Sequence, residues 1–86
     1  MDRSLLKTFW NCGDNEIIDF AIHRARLNRI ESEVIRLTLD ECITQEAAAE
    51  IMEISPRRFQ EYWYSASDKL LNIPWVSAYA RELNKR

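Results

Sequence analysis

The sequence predicts an all-α fold, a compact bundle of four to five helices that contains a helix-turn-helix. Helix breakers are scarce, because the 86 residues include one glycine and two prolines and these residue types mark most turns. Apolar residues recur at steps of three and four, which is the spacing of one buried helical face. No segment of useful length alternates apolar and polar residues as a half-buried strand does.

Length and composition indicate a single domain at 1–86. Within it we expect a helix-turn-helix core at 30–71, a helical extension at 1–29 and a C-terminal helix at 72–86. Charged residues make up 30% of the chain, and no apolar run approaches the roughly 20 residues that span a bilayer. The first residues lack the pattern of a signal peptide. We therefore expect a cytoplasmic protein with no membrane partner.

Metal and catalytic chemistry find little support in the sequence. Cys12, Cys42 and His23 do not have the spacing of metal ligands, and a disulfide is not expected in a reducing compartment. We interpret both cysteines as ordinary apolar residues. The chain has no nucleophile motif and no glycine-rich phosphate loop. The sequence therefore predicts no catalytic residue, no metal, no cofactor and no enzymatic activity.

The N-terminal extension contains one clear helix. Residues 11–15 predict a turn, and Asp14 or Asn15 is suited to cap the helix that follows. The buried face of this helix is predicted to be Ile17, Ile18, Ala21, Ile22 and Ala25. Residues 1–12 are ambiguous. Their apolar side chains at helical spacing are Leu5, Leu6, Phe9 and Trp10.

Two helices of the core follow. The first is predicted to begin at Arg29 or Ile30 and to end around residues 40–42. Its apolar residues are Ile30, Val34 and Leu37, with Ile35 and Leu39 beside them. The next helix opens after Thr44, whose hydroxyl suits an N-cap. Its inner face is predicted to be Ala48, Ala49, Ile51 and Met52.

The last two helices have clear starts. Ser55 and Pro56 form a strong start signal, a capping serine followed by proline at the first helical position. The core stripe of this helix is Phe59, Trp63, Ala66 and Leu70, at steps of four, three and four. Residues 72–74 break it. The final helix is predicted to turn inward Trp75, Val76, Tyr79, Ala80 and Leu83.

Two short helices joined by a tight turn have the geometry of a helix-turn-helix. Ala49 is the small residue needed where the two backbones approach, Ile54 is an apolar plug for the turn, and Phe59 is a large anchor. Glu53 occupies a turn position that often holds glycine. A non-glycine residue with positive φ costs about 1–2 kcal/mol, so we expect a slightly reshaped joint.

The segment 33–71 resembles region four of the bacterial sigma factors, over a little under half of the chain. Residues 33–37 resemble the first helix of that region, and residues 43–55 resemble its scaffold helix and turn. The core positions of its recognition helix match Phe59, Trp63, Ala66 and Leu70. LuxR-type response regulators share nearly the same frame, and residues 55–60 also resemble AraC-type modules.

All three families bind promoter DNA, so the resemblance implies a DNA-binding transcriptional regulator that reads a short promoter or operator site. It implies that the helix starting at Pro56 enters the major groove of double-stranded DNA. Arg57 and Arg58 would pair with guanine or hold phosphate. Gln60 would read adenine, and Glu61 would accept a hydrogen bond from cytosine.

The resemblance also implies contacts outside the base-reading residues. Tyr64 and Asp68 are expected to face outward on the recognition helix, and Thr44 and Gln45 are expected to contact phosphates. Because these 86 residues hold none of the other sigma regions, we expect action with RNA polymerase, another protein subunit or a second copy of the chain. The apolar side chains considered for such an interface are Leu5, Leu6, Phe9, Trp10 and Trp75.

The recognition helix departs from the sigma pattern in its charge. Where the family repeats arginine or lysine, this chain has Glu61, Tyr62, Tyr64, Ser65, Ser67 and Asp68. The formal net charge is −2, whereas DNA affinity relies on neutralised phosphates. We therefore expect DNA contacts in the first two turns only. The family's usual glycine is also replaced, by Cys42.

Two other functions stay open. The helix-turn-helix frame also suits a protein–protein interaction module that has lost DNA binding. It suits equally the DNA-recognition subunit of a phage or mobile-element complex. We interpret Glu46, Glu50 and Glu53 either as a solvated face or as a docking surface for a basic partner. We interpret Arg24, Arg26 and Arg29 either as positive charge that complements a helix end or as a second phosphate-facing patch.

Overall fold

Six α-helices make up the computed structural model, which describes residues 4–11 and 14–85. They are α1 (Ser4–Trp10), α2 (Asn15–Arg24), α3 (Arg29–Leu39), α4 (Gln45–Ile51), α5 (Pro56–Leu71) and α6 (Pro74–Asn84). The all-α prediction is confirmed, and no strand occurs in these ranges. There is one helix more than the predicted four to five, because the ambiguous N-terminal residues form a helix of their own. None of the six is long and apolar enough to cross a bilayer.

Side-chain caps determine where four of the helices begin. Asp14 accepts hydrogen bonds from two backbone N–H groups in the first turn of α2, so the cap is Asp14 and not Asn15. Asn28 caps α3. The hydroxyls of Thr44 and Ser55 each accept from the backbone N–H three residues further on, which confirms both predicted caps. These contacts satisfy donors that have no partner inside the helix.

Three described residues other than glycine adopt a left-handed backbone: Arg26, Cys42 and Glu53, with φ of 57°, 55° and 59°. Arg26 and Glu53 directly follow the C-caps of α2 and α4, where this conformation lets the next N–H groups bond back to helix carbonyls. The expected reshaping of the joint at Glu53 is therefore wrong. The turn keeps the left-handed geometry and carries its cost of about 1–2 kcal/mol. Cys42 is exposed and free, and so is not an apolar core residue.

A large apolar cluster joins α1, α2, α6 and the second half of α5. α1 packs mainly against α6, and Ile35 reaches the cluster from α3. It holds twelve of the sixteen buried apolar residues. They are Leu5, Leu6, Phe9, Trp10, Ile18, Ala21, Ile35, Ala66, Leu70, Leu71, Val76 and Ala80. Because burial of apolar surface is the main stabilising term, this cluster anchors the domain.

A small apolar cluster holds α4 to the rest of the molecule. Its buried members are Val34 from α3, Ala48 and Ala49 from α4, and Phe59 from α5. Trp63, predicted as a core residue, is half-buried and packs against both clusters. The helix pair α4–α5 is therefore held together by three smaller buried residues that pack around the ring of Phe59.

A polar network links the first three helices. The Arg36 guanidinium donates to Asp19 on α2 at 2.5 Å and to Asp40 at the end of α3 at 3.2 Å. The indole N–H of Trp10 on α1 also donates to Asp40. The hydrogen bond to Asp19, with smaller help from Asp40, raises the pKa of Arg36 above its ordinary value despite partial burial.

The N-terminal side chains considered for an interface are core residues. Leu5, Leu6, Phe9 and Trp10 are all buried, because α1 lays this face against α6 and α5. They offer no surface to a partner. Of the five side chains named for that role, Trp75 alone is exposed.

Two further burial predictions are wrong in the core helices. Ile30 is exposed, and the next residue, Glu31, is buried in its place because its carboxylate finds partners inside the fold. Ile51 at the end of α4 is 58% exposed. Ala48 and Ala49 already close the inner face of that seven-residue helix, and the last residue lies beyond the contact with α5.

The predicted inward placement of Trp75 and Tyr79 on α6 is also wrong. Both rings are exposed at one edge, 36% and 37% respectively. The ring of Phe9 supports them from beneath, with centroid distances of 6.1 Å to Trp75 and 5.9 Å to Tyr79 in edge-to-face geometry. The rings therefore cover Phe9 and leave their outer edges open to solvent.

Candidate nucleic-acid interface

The helix pair α4–α5 is joined by a four-residue turn. After α4, the backbone N–H of Glu53 donates to the Glu50 carbonyl at 3.1 Å, and that of Ile54 donates to the Ala49 carbonyl at 3.0 Å. Ala49 is buried and Ile54 is half-buried against Phe59 and its neighbours. The three residues predicted to organise this joint are therefore brought together in one cluster.

The first two turns of α5 are mostly exposed to solvent. Phe59 is the one fully buried residue between positions 56 and 65. Around it, the side chains of α5 that were predicted to bind DNA are exposed. They are Arg57, Arg58, Gln60, Glu61 and Tyr64. This end of the helix presents donors and acceptors to solvent on a rigid support.

The two arginines have weak partners within their own helix. Arg57 lies 3.8 Å from the Glu61 carboxylate, and its side chain is 91% exposed. Arg58 lies over the ring of Tyr62, 5.9 Å from its centroid. An exposed ion pair of this kind contributes little stability. Both guanidinium groups therefore keep the capacity to bind another anion.

The predicted phosphate contacts, Thr44 and Gln45, are exposed at the start of α4. The Thr44 hydroxyl oxygen accepts the capping hydrogen bond from the N–H of Ala47 at 3.2 Å. A shallow groove beside these residues is also lined by Lys7 and Asn11 from the α1 region. Lys7 is a cation that sequence reasoning missed. No local pattern signals it, because tertiary packing alone brings α1 to α4.

The second half of α5 is the more deeply buried half of the helix. Ala66, Ser67, Leu70 and Leu71 are buried. Asp68, which was expected to face outward, is half-buried, since the helix here is covered by α1, α3 and α6. Ser65 and Lys69 remain exposed in this half, but both donate hydrogen bonds to Glu31.

Buried Glu31 organises the polar contacts of this second half. Its carboxylate accepts hydrogen bonds from Lys69 at 2.7 Å, from Ser65 at 2.6 Å and from the backbone N–H of Asn28 at 3.1 Å. Burial raises the pKa of Glu31, but these hydrogen bonds outweigh it and leave the pKa below its ordinary value. Sequence reasoning missed Glu31. The pair Asn28 and Glu31, three apart, is a capping-box signal that predicts its position.

Charge is distributed unevenly over the surface. Between residues 44 and 68 the chain has five acidic and two basic side chains. The acidic set of α4 and its turn is exposed: Glu46, Glu50 and Glu53. The basic set at the α2–α3 connection is exposed as well: Arg24, Arg26 and Arg29. Between residues 44 and 68, basic charge is therefore confined to Arg57 and Arg58 at the start of α5.

Metal-ligating residues do not converge in the part of the chain that the structure describes. No three or more His, Cys, Asp or Glu residues are grouped there for a metal ion. His23 is exposed beside the basic set. Cys12 lies outside the described residues, so its predicted apolar role is untested.

Comparison with protein-family models, with curated proteins and with solved structures finds no match to this chain. The function of the α4–α5 surface therefore has to be inferred from its own geometry and charge.

Proposed function

We propose that this chain is a DNA-binding transcriptional regulator, similar to sigma factor region four, that reads a short promoter or operator site through the start of α5. One observation carries the proposal. The first two turns of α5 have a single buried anchor, Phe59, and exposed polar side chains around it. The major groove of B-DNA is wide enough to admit an α-helix presented in this way.

The exposed side chains of these turns divide the work of recognition. Arg57 and Arg58 suit bidentate contacts with guanine or contacts with phosphate. Gln60 suits adenine, and the Glu61 carboxylate suits the amino group of cytosine. Tyr64 marks the end of the reading surface, because the exposed Ser65 and Lys69 beyond it are already hydrogen-bonded to Glu31.

Phosphate contacts from α4 would position α5 on the duplex. In a helix-turn-helix the first helix crosses the backbone while the second enters the groove. Thr44 and Gln45 are exposed at the start of α4, and Lys7 adds a cation to the same groove. Such contacts set register and orientation without reading sequence.

The acidic surroundings limit the strength of this interface. Three glutamates of α4 and its turn, Glu46, Glu50 and Glu53, are exposed near the reading helix and repel phosphate. Few neutralised phosphates give weak binding that falls steeply with salt. We therefore expect the chain to act beside RNA polymerase, with another subunit or as more than one copy.

Fluorescence anisotropy against a pool of random duplex DNA tests the proposal. The measurement compares wild type with the double variant Arg57→Ala/Arg58→Ala at low and moderate salt. Wild-type binding should weaken with salt, and the variant should bind at least about tenfold more weakly, because two charge-assisted contacts are lost. Selection from the pool then yields the preferred site.

A matched control removes the same charge elsewhere. Arg81→Ala/Lys85→Ala takes two exposed cations from α6 and its C-cap, and its affinity should stay within about twofold of wild type. Equal weakening by both double variants would mean that net charge, not the start of α5, governs binding. Absence of binding at low salt would refute direct reading of DNA.

A protein-interaction module is the second candidate. The observation that favours it is the exposure of Ile51 at the end of α4, next to the acidic Glu50. A basic protein that packs apolar surface on Ile51 would bind equally well to the Arg57→Ala/Arg58→Ala variant. That association would persist at high salt, because burial of apolar surface is not screened.

A further inference from the structure

An exposed aromatic patch lies on the side of the molecule formed by α2 and α6. We define the aromatic patch as Ile17, Phe20, Trp75 and Tyr79, which line one wholly apolar groove. Phe20 is 59% exposed, and its ring lies 5.8 Å from that of Trp75. Phenylalanine is among the residue types most often buried, so its exposure within such a patch indicates an interaction surface.

The patch is supported from beneath and is therefore preformed. Trp75 and Tyr79 rest edge-to-face on the buried ring of Phe9. Ile17 packs partly against the large apolar cluster. Since these contacts hold the rings in place before any partner binds, little side-chain freedom is lost on association.

Charges on α2 are arranged symmetrically about the centre of the patch. Glu16 and Arg24 are each four residues from Phe20, so all three share one exposed stripe of the helix. At 1.5 Å per residue the two charges lie about 6 Å to either side of the ring. Neither makes an ion pair with another residue in the described ranges.

This arrangement is complementary to a copy of itself. If two α2 helices cross antiparallel at Phe20, a twofold axis places Glu16 of each copy opposite Arg24 of the other. The aromatic side chains of both copies then meet at the centre, and two ion pairs form at the edges. Helix-dipole complementarity explains acid at the start and base at the end of a helix, but not their alignment with an exposed phenylalanine.

We propose that the chain forms a twofold-symmetric homodimer through the aromatic patch, with α2 antiparallel to α2 of the second copy. The same surface patch serves both copies, as a closed twofold interface requires. The dimer is independent of the α4–α5 surface and of any DNA. Four side chains per copy are far fewer than the roughly 20–30 of a standard interface. The dissociation constant of the dimer should therefore be on the order of 10–100 µM.

Analytical ultracentrifugation of the full chain under reducing conditions tests the dimer, since a reductant prevents linkage through exposed Cys42. The variants are Glu16→Arg, Arg24→Glu and the double exchange Glu16→Arg/Arg24→Glu. Each single reversal should weaken dimerisation at least about tenfold, because symmetry turns two attractive pairs into two repulsive ones. The double exchange should restore the dissociation constant of the dimer to within about threefold of wild type.

Two further variants separate the patch from general effects. Phe20→Gln removes the apolar centre while keeping a good helix former, and should weaken dimerisation at least about tenfold. Glu50→Arg on α4 changes net charge as much as Glu16→Arg does, and should leave the dimer within about twofold of wild type. Circular dichroism of every variant checks that the helices are intact.

Three outcomes would overturn the dimer. The first is a wild-type chain that stays monomeric up to about 500 µM, far above the expected dissociation range. The second is a Glu16→Arg variant that dimerises as strongly as wild type. The third is a folded double exchange that fails to recover, which excludes the antiparallel pairing of Glu16 with Arg24.

Discussion

The two halves of α5 contain similar polar residues but use them differently. In the first half, one buried side chain holds the helix, and Arg57 and Gln60 face solvent. In the second half, Ser65 and Lys69 donate to Glu31, and the Ser67 hydroxyl donates to the Trp63 carbonyl. Residue type therefore does not decide which polar groups are available to a ligand. The availability depends on whether the fold already uses their hydrogen bonds.

The largest effect on stability is expected from Phe59, the buried anchor in the first half of α5. Phe59→Ala should lower the free energy of unfolding by about 3–5 kcal/mol, through lost burial and a cavity in the small cluster. Hydrogen exchange should show that amides of α4 lose more protection than those of α1 and α6. Gln60→Ala, an exposed neighbour, should change stability by less than about 0.5 kcal/mol in urea unfolding. Uniform loss of protection would mean that the two clusters behave as one unit.

A smaller effect on stability is expected from Glu31, which accepts the hydrogen bonds of the second half of α5. Glu31→Gln should lower the free energy of unfolding by about 1–3 kcal/mol, because it replaces charge-assisted hydrogen bonds with neutral ones. The DNA affinity expected at the start of α5 should be unchanged, provided that the measurement is made under conditions where the variant is folded. A large loss of affinity would show that the two halves are coupled.

The stabilisation by Glu31 should depend on pH. Its pKa is below the ordinary value of 4.5 in the folded chain, so folding favours the ionised form. The contribution is therefore complete above pH about 4.5 and is lost as pH falls through the lowered folded pKa. Urea unfolding at several pH values should show the gap between wild type and Glu31→Gln narrowing below that pH. A constant gap down to pH about 3 would contradict this assignment.

The smallest effect on stability is expected from the turn that leads into the first half of α5. Glu53→Gly should raise the free energy of unfolding by about 0.5–1 kcal/mol, since glycine adopts the left-handed conformation without strain but is more flexible in the unfolded chain. Glu50→Gly, inside α4, should instead destabilise by about 1 kcal/mol. Thermal unfolding of the pair measures both. Destabilisation by Glu53→Gly would mean that the glutamate side chain outweighs the backbone strain.

Features that depend only on neighbouring residues can be predicted from the sequence. Thr44 and Ser55 cap their helices because a hydroxyl can reach an N–H three residues away. Phe59, Ala66 and Leu70 face inward because they share one helical stripe. The exposure of the candidate DNA-binding residues follows from the same periodicity.

Which helix faces are covered depends on partners distant in sequence, and therefore on how the helices pack. Helix packing buried Glu31 because Lys69, 38 positions later, supplies a counter-charge. It brought Lys7 beside Thr44 and left Phe20 exposed although that residue lies in an apolar-rich helix. Periodicity alone cannot choose between two apolar faces, because the free energy of burial is gained on whichever face another helix happens to cover.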